Sequence, residues 1–276
     1  LSQNTLFQQS AMRVASSEIA SFRAPIVVTN SDFRFIVAHQ LELCGIQANS
    51  MVIEPEVKNT APAILAAALL AHSEDENAVL LAAPSDHVIP DTLSYHRAVA
   101  AGLSAVNTGR IVTFGIQPNR PETGYGYLEV GCGSGDGAIP LNKFVEKPEL
   151  SAAQEMLDAG NYYWNAGIFL FRARDMLGAF SEHCPEILDH VKSSIENGKG
   201  DLDFFRLDQA AWNECPSVSI DYAVMEKITN LSVVPYKGKW SDLGGWDAVW
   251  AEMGPDARGV ALSQNAHAID CSDTLL

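Results

Sequence analysis

The chain has 276 residues, 47% of them hydrophobic and 19% charged, with a formal net charge of −16. That length suffices to bury one large core, and no apolar run reaches the ~20 residues that span a bilayer. The excess of 34 acidic over 18 basic residues argues against a surface that coats nucleic acid. It also makes each Lys or Arg inside a motif more informative.

No basic stretch followed by an apolar one marks a secretory signal. Five cysteines, odd in number and never in C-x-x-C spacing, fit a reducing cytoplasm without a disulfide framework or a zinc site. The first residues, LSQNTLF, read as the approach to a helix, so a preceding segment is expected.

Taken in order, Pro25–Thr29 reads as a buried strand, and Phe33–Cys44 as a helix capped by Asn30, Ser31 or Asp32. Ser50–Glu54 is a strand. Thr60–His72 is an Ala/Leu-rich helix with Asn59 or Thr60 as N-cap and Pro62 in its first turn. Ala78–Ala83 is apolar on both sides, as a sheet covered on both faces requires. Thr92–Val106 is helical and Ile111–Ile116 is the next strand. Short connections between these elements predict an α/β fold with a doubly wound, mostly parallel, Rossmann-like sheet.

After Pro118 the pattern changes. Tyr125–Val130 and Leu141–Glu146 read as an antiparallel pair joined by the loop GCGSGDG, a small subregion beside the main sheet. Tyr163–Phe171 returns to sheet. Ala173–Asn197, Leu202–Asn213 and Ile220–Ile228 read as helical, Leu231–Pro235 as a strand and Trp246–Met253 as a helix. Residues 1–254 are expected to form one domain, and 255–276 to begin a C-terminal β element.

In open α/β sheets ligands bind beyond the carboxyl ends of the strands, which singles out several residues. Asp86 follows the strand AVLLAA, either as a functional carboxylate or as a strand-ending turn residue. Asp242 lies in WSDLGGWD, between two tryptophans and before a Gly-Gly pair. Two such carboxylates suit Mg²⁺, which takes one or two protein carboxylates and fills its other positions with phosphate and water.

Glu146 and Lys147 stand at a strand end stopped by Pro148. A carboxylate there can accept from sugar hydroxyls and an ammonium can hold phosphate, although solvated Glu-Lys pairs are common. Asn59 and Thr60 start a helix whose free N–H groups could meet a phosphate or a base edge, or they are simple caps. Gly124 and Gly126 allow a ring to approach backbone, or mark a bulged aromatic edge. Asn165 heads an apolar strand as a fork for a hydroxyl, or as a turn residue. Asp221 stands at a helix start. Seven histidines give no metal pattern, and no G-x-S-x-G or strand-to-helix G-x-G-x-x-G occurs.

In order, NTAPA, PSDH, GYGY, FVEKP, YYWNAGIF, SIDYAVMEK and WSDLGGWDA resemble the motifs of the mannose-1-phosphate guanylyltransferases, sugar nucleotidyltransferases of the GDP-mannose pyrophosphorylase type. The likeness runs to about Gly254. It implies GMP transfer from GTP to mannose 1-phosphate, with Mg²⁺ on Asp86 and Asp242 and the sugar phosphate on Lys147. Glu146, Asn165, Gly126 and Gly167 would bind the sugar, and Asn59, Thr60, Ser85 and Asp86 the nucleotide. A homodimer is implied too, as is a left-handed β-helix after the catalytic domain. The Gly-rich loop with its Arg and Lys is expected ahead of Leu1, within about thirty residues that make one further βα unit. Related possibilities are another sugar 1-phosphate and nucleotide pair, or a non-catalytic nucleotide-sugar binder.

Overall fold

Apolar runs and helical stretches alternate through the computed structural model, which describes residues 4–131 and 137–276. Most of the GCGSGDG loop therefore lies outside the described residues. Helix α1 (Leu6–Arg13) starts with a reciprocal capping box, in which Thr5 accepts from the Gln8 N–H and Gln8 from the Thr5 N–H. Strand β1 (Ile26–Asn30) leads to α2 (Arg34–Leu43), with Asn30 Oδ1 accepting from the N–H groups of Asp32 and Phe33. Then come β2 (Ser50–Glu54), α3 (Thr60–Glu74), β3 (Val79–Ala82), α4 (Thr92–Val106) and β4 (Ile111–Ile116).

The middle of the chain supplies β5 (Tyr127–Val130), β6 (Ile139–Val145), α5 (Leu150–Ala159) and the long β7 (Tyr162–Arg172). Next are α6 (Ala173–His183), α7 (Pro185–Glu196), β8 (Lys199–Asp201), β9 (Phe204–Arg206) and α8 (Gln209–Glu214). A five-residue π turn (Asp221–Met225), β10 (Leu231–Tyr236) and α9 (Trp246–Glu252) complete the main body. Beyond it β11 (Val260–Ala261) and β12 (Thr274–Leu275) form a small parallel pair.

The sheet is split. Strands β1, β2 and β9 run parallel in a four-stranded sheet ordered β1-β2-β9-β8. A six-stranded sheet has the order β3-β7-β4-β10-β6-β5. Strands β3, β4 and β10 point the same way, and β7 runs against them between β3 and β4. The parallel strands expected from the sequence are there, but in the six-stranded sheet β7 and β6 interleave antiparallel with them. The β5–β6 hairpin is the expected antiparallel subregion, and β5 also pairs with the first residues of β7. Strands β1 and β3 each end a sheet, and both line one groove.

Side chains leaving a strand alternate between faces, and β7 exposes the layering directly. Its Phe169 and Phe171 join the larger core with α3, α6, α7 and the π turn. Its Ile168 and Leu170 join a second core under α4. Strand β10 divides the same way, with Leu231 and Val233 to one side and Val234 and Tyr236 to the other.

Four local expectations change. The helix expected over Leu202–Asn213 is a β8–β9 hairpin followed by the short α8, because Met51, Val52 and Ile53 of β2 pair with Phe204, Phe205 and Arg206. Leu202, at φ 54° and 94% exposed, turns that hairpin. Ala173–Asn197 is two helices broken at Cys184, since Pro185 cannot donate to a continuing helix. Ile220–Ile228 contains only the π turn, and α5 is an additional helix before β7.

Candidate functional site

Asp86 lies in the loop after β3 and Asp242 in the loop after β10. These loops are clasped by an isolated antiparallel bridge, with Val88 N–H to Ser241 O at 2.8 Å and Ser241 N–H to Val88 O at 3.1 Å. Beside the bridge, Trp240 Nε1–H points at His87 Nδ1 at 3.3 Å, and the two rings meet edge to face. From below, the buried Arg13 donates to the His87 carbonyl at 3.3 Å, and the His96 ring bonds the Arg13 carbonyl. Burial holds His87 below the usual imidazole range, and the charges of Asp86 and Asp242 act against that.

Asp242 is oriented by two donors to Oδ1, the Tyr125 hydroxyl at 2.7 Å and the Gly244 N–H at 3.0 Å. A Cβ on Gly244 would lie 2.7 Å from Asp242 Oδ2, so this glycine makes room for the carboxylate itself. Gly245 has open space around it and is the N-cap of α9. Tyr125 stacks edge to face on both Trp164 and Trp240. Among the described residues no donor reaches the exposed Asp86 carboxylate, and no cluster of three or more His, Cys, Asp or Glu could hold a metal. Asp86, unclaimed, and Asp242 Oδ2, without a donor among the described residues, are hard oxygen atoms on clasped loops, the ligand type a divalent cation takes.

Across the cavity, Lys147 takes φ 46°, a left-handed conformation that costs a residue with a side chain. Its ammonium is half-exposed and 3.5 Å from Glu146 Oε1, while the Glu146 side chain is 7% exposed. Burial, followed by the charge of Asp221, pushes the Glu146 carboxyl up to about 7. The Glu146 N–H is held by Glu226 Oε1 at 2.9 Å. This is no solvated strand end. Gly126 is required here, because a Cβ would sit 2.6 Å from Glu146 Oε2 and 3.1 Å from the Phe144 ring.

Asn165, in the first half of β7, is buried. Its Oδ1 accepts from the Thr113 hydroxyl at 2.7 Å and the Gly167 N–H at 3.2 Å, and its Nδ2 donates to Asp221 Oδ1 at 3.0 Å. Gly167 has φ 67°, which glycine adopts without penalty. At the start of α3, Asn59 Oδ1 takes the Thr60 N–H at 2.8 Å and Val218 O takes the Ala61 N–H at 3.1 Å. Two of the helix's leading donors are thus spent within the protein, which narrows the anion site expected there.

Thr60, Ser85, Gly126, Glu146, Lys147, Asn165, Gly167 and Asp242 all line one cavity of about 810 Å³. Asn59 and Asp86 do not line it, although Ser85 and His87 on either side of Asp86 do. Tyr125 and Asp221 also line it. In the sequence Tyr125 is legible only as one aromatic in GYGY, and nothing local in that motif points to Asp242.

A mixed sheet with carboxylates, an ammonium and an amide facing one cavity defines an α/β protein of the kind that holds ligands beyond its strand ends. The chain belongs to the nucleotidyl transferase family, whose model matches residues 1–258. It is 42% identical to a mannose-1-phosphate guanylyltransferase of Sinorhizobium fredii, over 100% of this chain and 54% of that protein. It is 45% identical to the xanthan biosynthesis protein XanB of Xanthomonas campestris, over 91% of this chain and 53% of that protein. The chain thus spans about half the length of the curated relatives it matches. A solved structure described as mannose-1-phosphate geranyltransferase of Thermus thermophilus superposes with a TM-score of 0.77 at 28% identity, covering 94% of this chain and 72% of that one. Among the described residues no helix is long and apolar enough to cross a membrane.

Proposed function

We propose that the protein transfers GMP from GTP to mannose 1-phosphate, giving GDP-mannose and pyrophosphate. The observation that carries this reading is the convergence of Glu146, Lys147, Asn165 and Asp242 on one cavity. The names of its relatives, mannose-1-phosphate guanylyltransferases among them, add the sugar and the base.

Lys147 holds the phosphate of the sugar phosphate as a point charge, and its strained backbone turns the ammonium to the cavity. Glu146 accepts from sugar hydroxyls, with Gly126 leaving the ring room to approach. Asn165 keeps one N–H for the ligand. Thr60 and Ser85 face the nucleotide, with Asn59 holding the start of α3. The attacking phosphate has a second pKa of roughly 6, so it needs no general base near neutral pH. What the site must supply is charge neutralisation and alignment of two polyanions. Asp86 and Asp242 would hold Mg²⁺, which when bound neutralises the phosphates of the nucleotide.

The reading includes a homodimer, drawn from the resemblance, and a cytoplasmic location, drawn from the scattered cysteines. It also takes residues 1–254 as the catalytic domain and 255–276 as the start of a β element, in keeping with the β11–β12 pair. Pyrophosphate release from the purified protein is the test. It should require GTP, mannose 1-phosphate and Mg²⁺ together. Release that is as fast with UTP or dTTP and glucose 1-phosphate would replace this substrate pair with another.

A further inference from the structure

Arg13 is the last residue of α1 and is only 5% exposed. Its guanidinium leaves the helix for the loop after β3, where it donates to the His87 carbonyl at 3.3 Å. A second nitrogen donates to Ser10 Oγ, one turn back in α1, at 3.4 Å. The group lies over the buried Tyr95 ring of α4, 5.6 Å from its centroid. The main chain is held as well. The ring of His96, also on α4, bonds the Arg13 carbonyl at 2.7 Å, which fixes the end of α1 from which the side chain departs.

Among the described residues no carboxylate pairs with Arg13, and burial works against its charge. A buried ion without a counter-ion is unfavourable, and an apolar side chain of similar volume generally packs such a place as well or better. Packing of α1 against α4 therefore does not account for an arginine. What the guanidinium adds is direction. It is planar and presents its donors in a fixed fork, so a grip on Ser10 with one nitrogen aims another at His87.

His87 stands between Asp86 and Val88. Its ring receives Trp240 Nε1–H at 3.3 Å, and Val88 makes the bridge to Ser241, the neighbour of Asp242. The bridge ties the two acid-bearing loops to each other. Arg13 ties the first of them to α1 and α4, through the main chain one residue beyond Asp86.

We propose that Arg13 is a positioning residue for the paired acids, fixing the His87 carbonyl and with it the turn of chain that presents Asp86. This rests on the reading of Asp86 and Asp242 as a metal pair.

The test compares Arg13→Met and Arg13→Lys with the wild type and with Asp242→Asn. Mn²⁺, which takes the same hard oxygen ligands as Mg²⁺, is titrated and its free ion followed by electron paramagnetic resonance. Hydrogen exchange of the Val88 and Ser241 amides in the metal-free protein reports whether the bridge is intact. Arg13→Met should bind Mn²⁺ about tenfold more weakly, the lower end of what partners of a metal site contribute, while both bridge amides keep their protection. Arg13→Lys keeps the charge but not the fork, so it should show a smaller loss, and it carries the test should Arg13→Met fail to fold. Variants that bind Mn²⁺ as the wild type does overturn the proposal. So does a loss of Mn²⁺ accompanied by loss of the bridge protection, since the arginine would then only hold the loops folded. Mn²⁺ binding that Asp242→Asn leaves unchanged overturns the metal reading itself.

Discussion

Tyr125 donates its hydroxyl to Asp242 Oδ1 at 2.7 Å, across 117 residues of chain. The bond aims the other carboxylate oxygen, and burial together with the negative charge of Asp242 pushes the tyrosine pKa well above its ordinary value. Partners of metal-binding carboxylates typically contribute 10- to 100-fold in metal affinity or activity. Tyr125→Phe should therefore fold normally and raise the Mg²⁺ concentration for half-maximal pyrophosphate release by about tenfold. A titration matching the wild type would remove Tyr125 from the site.

Lys147 separates stability from function at a single position. Its φ of 46° costs about 1 kcal/mol or more for a residue with a Cβ. Lys147→Gly should raise the urea midpoint of unfolding while lowering turnover by about 100-fold, the scale on which a lost electrostatic clamp acts. Loss of both together would mean that the lysine is needed for the fold.

Glu54, at the end of β2, and Glu146 both have carboxyls raised by burial from 4.5 to about 7, and Glu54 Oε1 has no hydrogen-bond partner. A raised carboxyl binds its proton more tightly folded than unfolded. Its contribution to stability is therefore complete below pH 4.5 and is lost as the pH rises toward about 7. For Glu54, which is 7% exposed, that loss is of order 3 kcal/mol or less. Urea unfolding followed from acid to neutral pH should show this decline in the wild type and a flatter profile in Glu54→Gln.

Gly115 tests the packing of the six-stranded sheet. A Cβ there would meet Val233 Cγ2 at 2.6 Å and Tyr163 Cβ at 2.8 Å, neither of which is the far end of a long side chain. Overpacking of this kind costs about 1–3 kcal/mol. Gly115→Ala should lower the unfolding midpoint accordingly, and an unchanged midpoint would mean that β4 and β7 are less tightly apposed.

The strand ends that carry Asp86, Glu146 and Asp242 are legible in the sequence because continuous apolar runs stop there at Pro84, Pro148 and a tryptophan-flanked acid. What decides the rest is distant in the chain. Phe204 and Phe205 are strand residues only because β2 offers them an edge, and the local Leu202–Asn213 pattern does not record that. The direction of β7 is likewise set by its neighbours and not by its own alternation. In the site, FVEKP announces a carboxylate beside an ammonium. Glu146 Oε2 packs over the bare Cα of Gly126, and its pKa is raised by burial and then by the charge of Asp221. Asp221 itself reads locally as a helix start, since its partner Asn165 is 56 residues away.

The bridge between Val88 and Ser241 joins loops from β3 and β10, which β7 and β4 separate in the sheet. The gap between the two acid-bearing loops is therefore set by the path of the main chain and not by the choice of a rotamer. Side chains around it can be exchanged without resetting that gap. Opening it demands that two peptide hydrogen bonds fail together, so this end of the molecule should tolerate drift in its decoration far better than any change in its dimensions.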